Sequence, residues 1–149
     1  MAVRISHAEW QGDLRSGRGT VQLGSGAFMG DYSYESRFEQ GRGTNPEELI
    51  GAAHAGCFSM ALAAGLAKAG YAPRHIRTTA EVHLDKTGDG FSITEIRLST
   101  EAEVPGIDEA TFMEQANAAK QGCPVSKALA GTVIHLDAKL LAQAVAGRA

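Results

Sequence analysis

The sequence predicts an α+β fold in a single domain, residues 1–149, on three observations. The order of segments is strands, one long helix, strands, helices and a final strand, without the regular alternation of β/α units. The stretch from Leu49 to Ala67 is apolar throughout and carries no charge. Hydrophobic residues make up 44% of 149 residues, enough to bury one core and too little chain for a second domain.

From about Val3 to Phe38 the chain reads as strands and turns. Gly17, Gly19, Gly24, Gly26 and Gly30 punctuate it, and Tyr32, Tyr34, Ser36 and Phe38 fall on one face of an extended chain. No helix is expected there. The character changes at Asn45, a capping residue, followed by Pro46 at the first helical position and by Glu48 placed to close a capping box. The helix that starts here is predicted to run to Lys68 or Ala69, where Gly70 supplies a left-handed stop and Pro73 prevents resumption. At 1.5 Å per residue its length is ~35 Å.

A helix that is apolar all round has to be enclosed all round. A chain this short cannot wrap such a rod alone, and Gly51, Ala55 and Gly56 would let a second helix approach closely. A homodimer with paired central helices is therefore predicted. Most of the stretch is Ala and Gly, and it includes His54, so it falls short of the ~20 strongly apolar residues of a membrane span. No membrane contact is predicted.

After Pro73, Thr78, Ala80, Val82 and Leu84 alternate with polar neighbours as a half-buried strand. Thr87 to Gly90 turns the chain back. Phe91 and Ile93 lead the return strand, but Ile96, Leu98, Thr100, Ala102 and Val104 have the opposite parity, so a bulge near Thr94 and Glu95 is needed to keep both sets facing inward. Asp108 caps a helix to about Lys120, which Gly122 ends. Pro124 opens a short helix through Leu129, and Thr132 to Leu140 forms the last strand. The tail from Leu141 to Ala149 carries no signal.

Fourteen Lys plus Arg stand against 17 Asp plus Glu, a net charge of -3 that leaves no basic surface for nucleic acid. The N-terminal residues lack the apolar core of a signal peptide, so a reducing, cytoplasmic location is predicted, where any disulfide is transient.

The two cysteines carry the chemistry. Cys57 ends the run Asn-Pro-Glu-Glu-Leu-Ile-Gly-Ala-Ala-His-Ala-Gly-Cys, and Cys123 opens Cys-Pro-Val-Ser. A cysteine reacts as its thiolate, which calls for nearby positive charge or hydrogen-bond donors. Arg37 is the best-suited cation, permanently charged and rich in donors, with Arg42 as a nearby competitor. Cys123 stands where a helix begins, a position that also lowers thiol pKa, so local physics lets either thiol attack. Plainer uses exist for each residue. Cys57 on an apolar helix would ordinarily be an inert small hydrophobe, and Cys123 could fill a turn. Glu47 and Glu48 suit the first turn of a helix through its dipole. His54, one turn before Cys57, reads first as a hydrogen-bonded interior histidine. His54, Cys57 and Cys123 match no common zinc spacing, so no metal is predicted.

These surroundings resemble the OsmC/Ohr family of thiol peroxidases (osmotically inducible protein C and organic hydroperoxide resistance protein), closer to the OsmC branch. Trp10 with Gly12, Ser36 to Glu39, Gly43 through Leu62, Val104 to Asp108 and the Cys-Pro-Val-Ser turn occur in family order. The resemblance implies antiparallel sheets wrapped around long central helices in an intertwined homodimer. It implies a peroxidase that reduces organic hydroperoxides, with hydrogen peroxide as a second candidate substrate, in oxidative or osmotic stress defence. Cys57 would attack the distal peroxide oxygen and Cys123 would resolve the sulfenic acid as a disulfide. Arg37 would activate Cys57, and Glu47 would orient Arg37. No flavin, haem or metal cofactor is implied, and an external dithiol, lipoyl-type or thioredoxin-like, would reset the enzyme.

Spacing adds a constraint. Glu47 and Cys57 lie ten residues apart on one helix, a separation of ~15 Å along the axis and roughly 80° around it. A twofold-related partner could place its Glu47 beside this chain's Cys57, since an isologous contact exchanges the same residues both ways. Arg37 and Glu47 of one chain are thus expected to serve Cys57 of the other. The alternative function is a non-enzymatic protein that holds a small hydrophobic ligand at the apolar interface, with structural thiols. Loss of a cysteine or of Arg37 would favour it, and all three residues are present.

Overall fold

The structure, a computed structural model, describes residues 1–143; the last part of the tail, residues 144–149, lies outside them. Two compact units make up the chain, residues 1–49 and 50–149.

In the first unit β1 (Ser6–Gln11), β2 (Arg18–Leu23) and β3 (Met29–Tyr32) form an antiparallel meander. The sequence expectation of an extended chain through Phe38 is corrected here, because Tyr34–Phe38 forms a short helix, α1. Ser33 causes it. The Ser36 amide donates to Ser33 Oγ at 3.1 Å while the Ser33 amide donates to Ser36 Oγ at 2.8 Å. This reciprocal box satisfies two amides within four residues and overrides the polar-apolar alternation. Tyr34 and Phe38 then become neighbours one turn apart, with ring centroids 4.9 Å from each other. The Ser36 hydroxyl also reaches the Thr44 carbonyl at 2.7 Å. The buried side chains of this unit, Ser36, Thr44 and Glu47, are polar, whereas Ile5, Phe28 and Met29 are exposed. It is a platform without an apolar core of its own.

The long helix α2 (Pro46–Lys68) starts at the predicted cap, with Asn45 Oδ1 accepting the Glu48 amide at 2.7 Å, but the Glu48 side chain does not return a bond to the Asn45 amide to close the predicted box. Gly70 ends it in the left-handed region, at φ 95°.

In the second unit β4 (His75–Thr87) and β5 (Gly90–Glu103) form a long hairpin, and β6 (Val133–Leu140) pairs with the other edge of β5. The α+β class stands, but β6 runs parallel to β5, so this sheet is mixed rather than wholly antiparallel. The cause is the crossover through α3 (Glu109–Gly122) and α4 (Pro124–Ala128), which delivers the chain to the sheet in the direction of β5. The predicted bulge is present: His83 pairs with Glu95 and Leu84 with Ile93, which leaves Thr94 unmatched. The core gathers Phe58, Leu62 and Leu66 of α2, Ile96, Leu98 and Ala102 of β5, and Phe112, Ala116 and Ala119 of α3. Phe91, expected to face inward, is 54% exposed because it sits at the hairpin tip, past the last core position, Ile93.

Helix α2 buries one stripe, made by Gly51, His54, Phe58, Leu62 and Leu66 at spacings of three and four residues. Gly51 matters for its size, since a Cβ there would meet the Ala80 carbonyl and a Val82 methyl at 3.4 Å. The other stripe is exposed in the single chain. It carries Ala52, Ala53, Gly56, Met60, Ala64 and Ala67, with Met60 77% exposed. By length and composition alone α2 could cross a membrane, a test that the core helix of a soluble protein also passes.

Candidate active site

Cys57 is carried on the middle of α2 and is half-buried. Cys123 is fully buried in the corner between α3 and α4, where its amide closes α3 by donating to the Ala119 carbonyl at 2.9 Å. Pro124 makes that corner, because proline is tolerated in the first turn of α4 but could not continue α3. The two sulfurs lie 2.7 Å apart as free thiols, so the bond between them requires only side-chain movement.

The contact and the neighbours around it act on the acidity of both thiols. Geometry alone would let Cys123 donate to Cys57. Burial pushes the Cys57 thiol up, and its hydrogen bond to Cys123 adds to this against a lowering from the Val125 amide. Burial is also the largest influence on Cys123, and it raises. It is outweighed by hydrogen bonds from Cys57, from the amide and hydroxyl of Ser126 and from the Val125 amide, and the Cys123 pKa falls below its usual value. The Cys57 thiol is thus pushed up, chiefly through burial and the contact with Cys123, and the Cys123 thiol down, against its burial and chiefly through the contact with Cys57. No cation is among the groups that act on Cys57 in the described residues.

The cation is held elsewhere. Arg37, in the last turn of α1, meets Glu47, in the first turn of α2, through three contacts: Nε to Oε1 at 3.0 Å, Nε to Oε2 at 3.3 Å and Nη2 to Oε1 at 2.7 Å. The Glu47 side chain is 9% exposed and that of Arg37 36%. A fork gripped by both nitrogens is fixed in orientation, and the buried carboxylate is fully used by it. The outer side of Arg37 lines a cavity of about 270 Å³ with Trp10, Leu14, Tyr34 and Phe38. Arg42 lines a different cavity, among Glu9, Arg18 and Asp31.

The four predicted residues thus fall into two pairs, Arg37 with Glu47 and Cys57 with Cys123. Sequence reasoning missed Ser126 and the aromatic rim of Arg37. Ser126 lies within the Cys-Pro-Val-Ser motif, three residues after Cys123 and so on the same side of a helical turn. His54 is the interior, hydrogen-bonded histidine expected: Nε2 lies 2.7 Å from Ser126 Oγ, with both residues buried. Its Nδ1 is buried without a hydrogen-bond partner, and burial lowers its pKa, which keeps the ring neutral. Among the described residues no group of three His, Cys, Asp or Glu is arranged to hold a metal ion.

Residues 39–137 match the model of the family described as OsmC-like protein. The chain is 53% identical to "Peroxiredoxin OsmC" of Escherichia coli K12 over 134 residues, covering 89% of this chain and 93% of that one. It is 35% identical to "Organic hydroperoxide resistance protein" of Xanthomonas axonopodis pv. citri over 95 residues, 62% of this chain and 64% of the relative. Among solved structures, the Organic Hydroperoxide Resistance Protein OhrB of Bacillus subtilis superposes with a TM-score of 0.66 at 25% identity, covering 92% of this chain and 98% of that one.

Proposed function

The chain belongs to the OsmC-like protein family, and on that premise we propose a thiol-dependent peroxidase that reduces organic hydroperoxides through Cys57 and Cys123. The observation that carries this reading is the 2.7 Å contact between a half-buried and a fully buried free thiol. Peroxide can reach the first and not the second. The Cys57 thiolate attacks the distal oxygen of the hydroperoxide, the O–O bond breaks, and the leaving alkoxide takes a proton to become an alcohol. Cys57 is left as a sulfenic acid. Cys123 then attacks the Cys57 sulfur, water leaves, and a disulfide remains. An external dithiol opens it by two thiol-disulfide exchanges and is itself oxidised. A reducing cytoplasm suits a bond that is opened in every cycle, and such a cycle fits a role in oxidative stress defence.

The raised Cys57 pKa is the gap in this scheme, and the Arg37–Glu47 pair fills it. Glu47 aims the guanidinium, and the charge stabilises the Cys57 thiolate. Ten residues of helix, ~15 Å, separate Glu47 from Cys57 of the same chain. We therefore assign the pair to the Cys57 of a second copy, in a homodimer whose α2 helices run antiparallel. The exposed apolar stripe of α2 supports that arrangement. The test is turnover of an alkyl hydroperoxide beside hydrogen peroxide, with a lipoyl dithiol and thioredoxin compared as donors. Peroxide-dependent oxidation of one of these dithiols is expected. No consumption with either would remove the enzymatic reading in favour of a ligand-binding protein.

A further inference from the structure

His54 and Ser126 are buried, bonded to each other and unused by the steps above. They stand in a regular relation to the two thiols. On α2 His54 precedes Cys57 by three residues, and across the corner Ser126 follows Cys123 by three. Residues at that spacing share one side of a helical turn. Each meets its counterpart on the other element: His54 Nε2 lies 2.7 Å from Ser126 Oγ, and Cys57 Sγ lies 2.7 Å from Cys123 Sγ. The two contacts are successive rungs between α2 and the α3–α4 corner. Helix α4 has five residues, and the buried one is Ser126, which carries a hydroxyl rather than an apolar group; Leu129, just past its end, is partly buried. A helix this short, without a buried apolar face, has little packing to fix its rotation or its slide along a neighbour. A directed bond from its buried hydroxyl fixes both. His54 makes that bond with its one engaged nitrogen, since Nδ1 is buried without a partner. A neutral imidazole and a hydroxyl can each donate or accept, so the bond forms whichever of them supplies the hydrogen.

We propose that the hydrogen bond between His54 and Ser126 is a latch between α2 and α4, which sets the register of the corner and so holds the Cys123 sulfur against Cys57 for the resolving step. His54 and Ser126 are positioning residues in that step. The proposal rests on the reading of Cys57 and Cys123 as a redox pair. In the step itself the Cys123 thiolate attacks the sulfur of Cys57–SOH, the S–S bond forms and the S–O bond breaks. The departing hydroxide takes up one proton, equal to the one Cys123 gave up on ionising, and leaves as water. The Cys123 sulfur is oxidised, the Cys57 sulfur is reduced, and no further reactant is needed. A group already placed at its target gives up less freedom on reacting, so the latch raises the effective concentration of one sulfur at the other. It also favours the disulfide at equilibrium, because a docked corner loses less when the bond forms.

The first test uses no peroxide. The chain is equilibrated with reduced and oxidised dithiothreitol, and the fraction of Cys57–Cys123 disulfide is read by mass after the free thiols are alkylated. His54→Leu and Ser126→Ala are each expected to lower the equilibrium constant for the disulfide about fivefold, the worth of one hydrogen bond. That is a potential roughly 20 mV more oxidising. The double variant is expected to show the same shift and no more, since either single change already opens the latch. His54→Gln keeps a polar group at the place of Nε2 and Ser126→Thr keeps the hydroxyl, and both are expected to lie nearer the unaltered chain. Unchanged constants in both single variants overturn the proposal, and so do shifts that add in the double. Where one variant does not fold, the other is set against its conservative partner. Equal constants for Ser126→Ala and Ser126→Thr, or for His54→Leu and His54→Gln, then overturn it. A chain that forms no Cys57–Cys123 disulfide at any ratio of the buffer overturns it as well.

The second test adds an alkyl hydroperoxide to the same chains and follows the products by mass. Ser126→Ala should slow conversion of the Cys57 sulfenic acid to the disulfide about fivefold, and formation of the sulfenic acid by less. Equal slowing of both steps marks a merely structural role and overturns the proposal. If the unaltered chain forms the disulfide against dithiothreitol but consumes no hydroperoxide, the peroxidase assignment fails, and the equilibrium constants alone decide the latch.

Discussion

Cys57 and Cys123 differ in access before they differ in chemistry. Cys123 is pushed below its usual pKa and is closed to solvent; Cys57 is pushed above it by burial and is reachable. Acidity alone would choose Cys123 as the attacking sulfur, but a nucleophile that peroxide cannot meet has no use for its charge. The two properties can be separated by experiment. Cys57→Ser is expected to abolish peroxide reduction, whereas Cys123→Ser should allow one oxidation and then stop at the Cys57 sulfenic acid. Single-turnover peroxide consumption with the intact mass of each variant measures this. First-turnover activity in Cys57→Ser equal to that of the unaltered chain would reverse the two roles.

The start of α2 does two tasks with one residue. Asn45 Oδ1 caps the helix through the Glu48 amide, and Asn45 Nδ2 donates to the Ser36 carbonyl of α1 at 3.1 Å. The same side chain therefore starts the turn that carries Glu47 and ties it to the helix that carries Arg37. Replacing a cap of this kind by alanine costs about 1 kcal/mol. Asn45→Ala should lose that much in urea denaturation, and Asn45→Asp, which keeps the capping oxygen but not the Nδ2 donor, should lose less. Peroxidase activity should fall with Asn45→Ala as well, because a frayed first turn no longer fixes the Glu47 carboxylate. Unchanged stability in Asn45→Ala would show that this terminus is held by something other than its cap.

On the scale of the whole molecule, two surfaces of the chain lack cover. The N-terminal unit buries polar side chains only, none of them in its sheet, and α2 exposes Met60 with a row of small apolar residues. A three-stranded sheet without an apolar core is marginal in water, and an exposed apolar stripe on a helix asks for a partner. The intertwined dimer proposed above would answer both needs and would bring Arg37 to the other chain's thiol. Neither Cys57→Ser nor Arg37→Ala chains should be active alone. Mixed, they should regain activity, since each heterodimer carries one site with both an intact Cys57 and an intact Arg37. After subunit exchange is verified by mass, activity no greater than the average of the parents would place each site within one chain.

The sequence by itself determined the elements whose signals are local: the Asn45 cap and Gly70 stop of α2, the parity change that required a bulge at Thr94, and the corner at Cys123 and Pro124. It also supplied the residues on which the proposed redox chemistry rests, because Cys57, Cys123, Arg37 and Glu47 stand in motifs of recognisable type and order. Where two local signals competed, as in the stretch from Tyr32 to Phe38, alternation suggested strand and the Ser33–Ser36 box made helix. Only the tertiary structure decided what depends on contacts between distant residues. The direction of β6 follows from where the α3–α4 crossover returns the chain. The meeting of the Cys57 and Cys123 sulfurs joins α2 to the α3–α4 corner across 66 positions of sequence. His54 meets Ser126 across 72 positions of sequence, and no periodicity, cap or composition carries information over that distance, since such a pair is selected by the packing of the whole core and not by either neighbourhood.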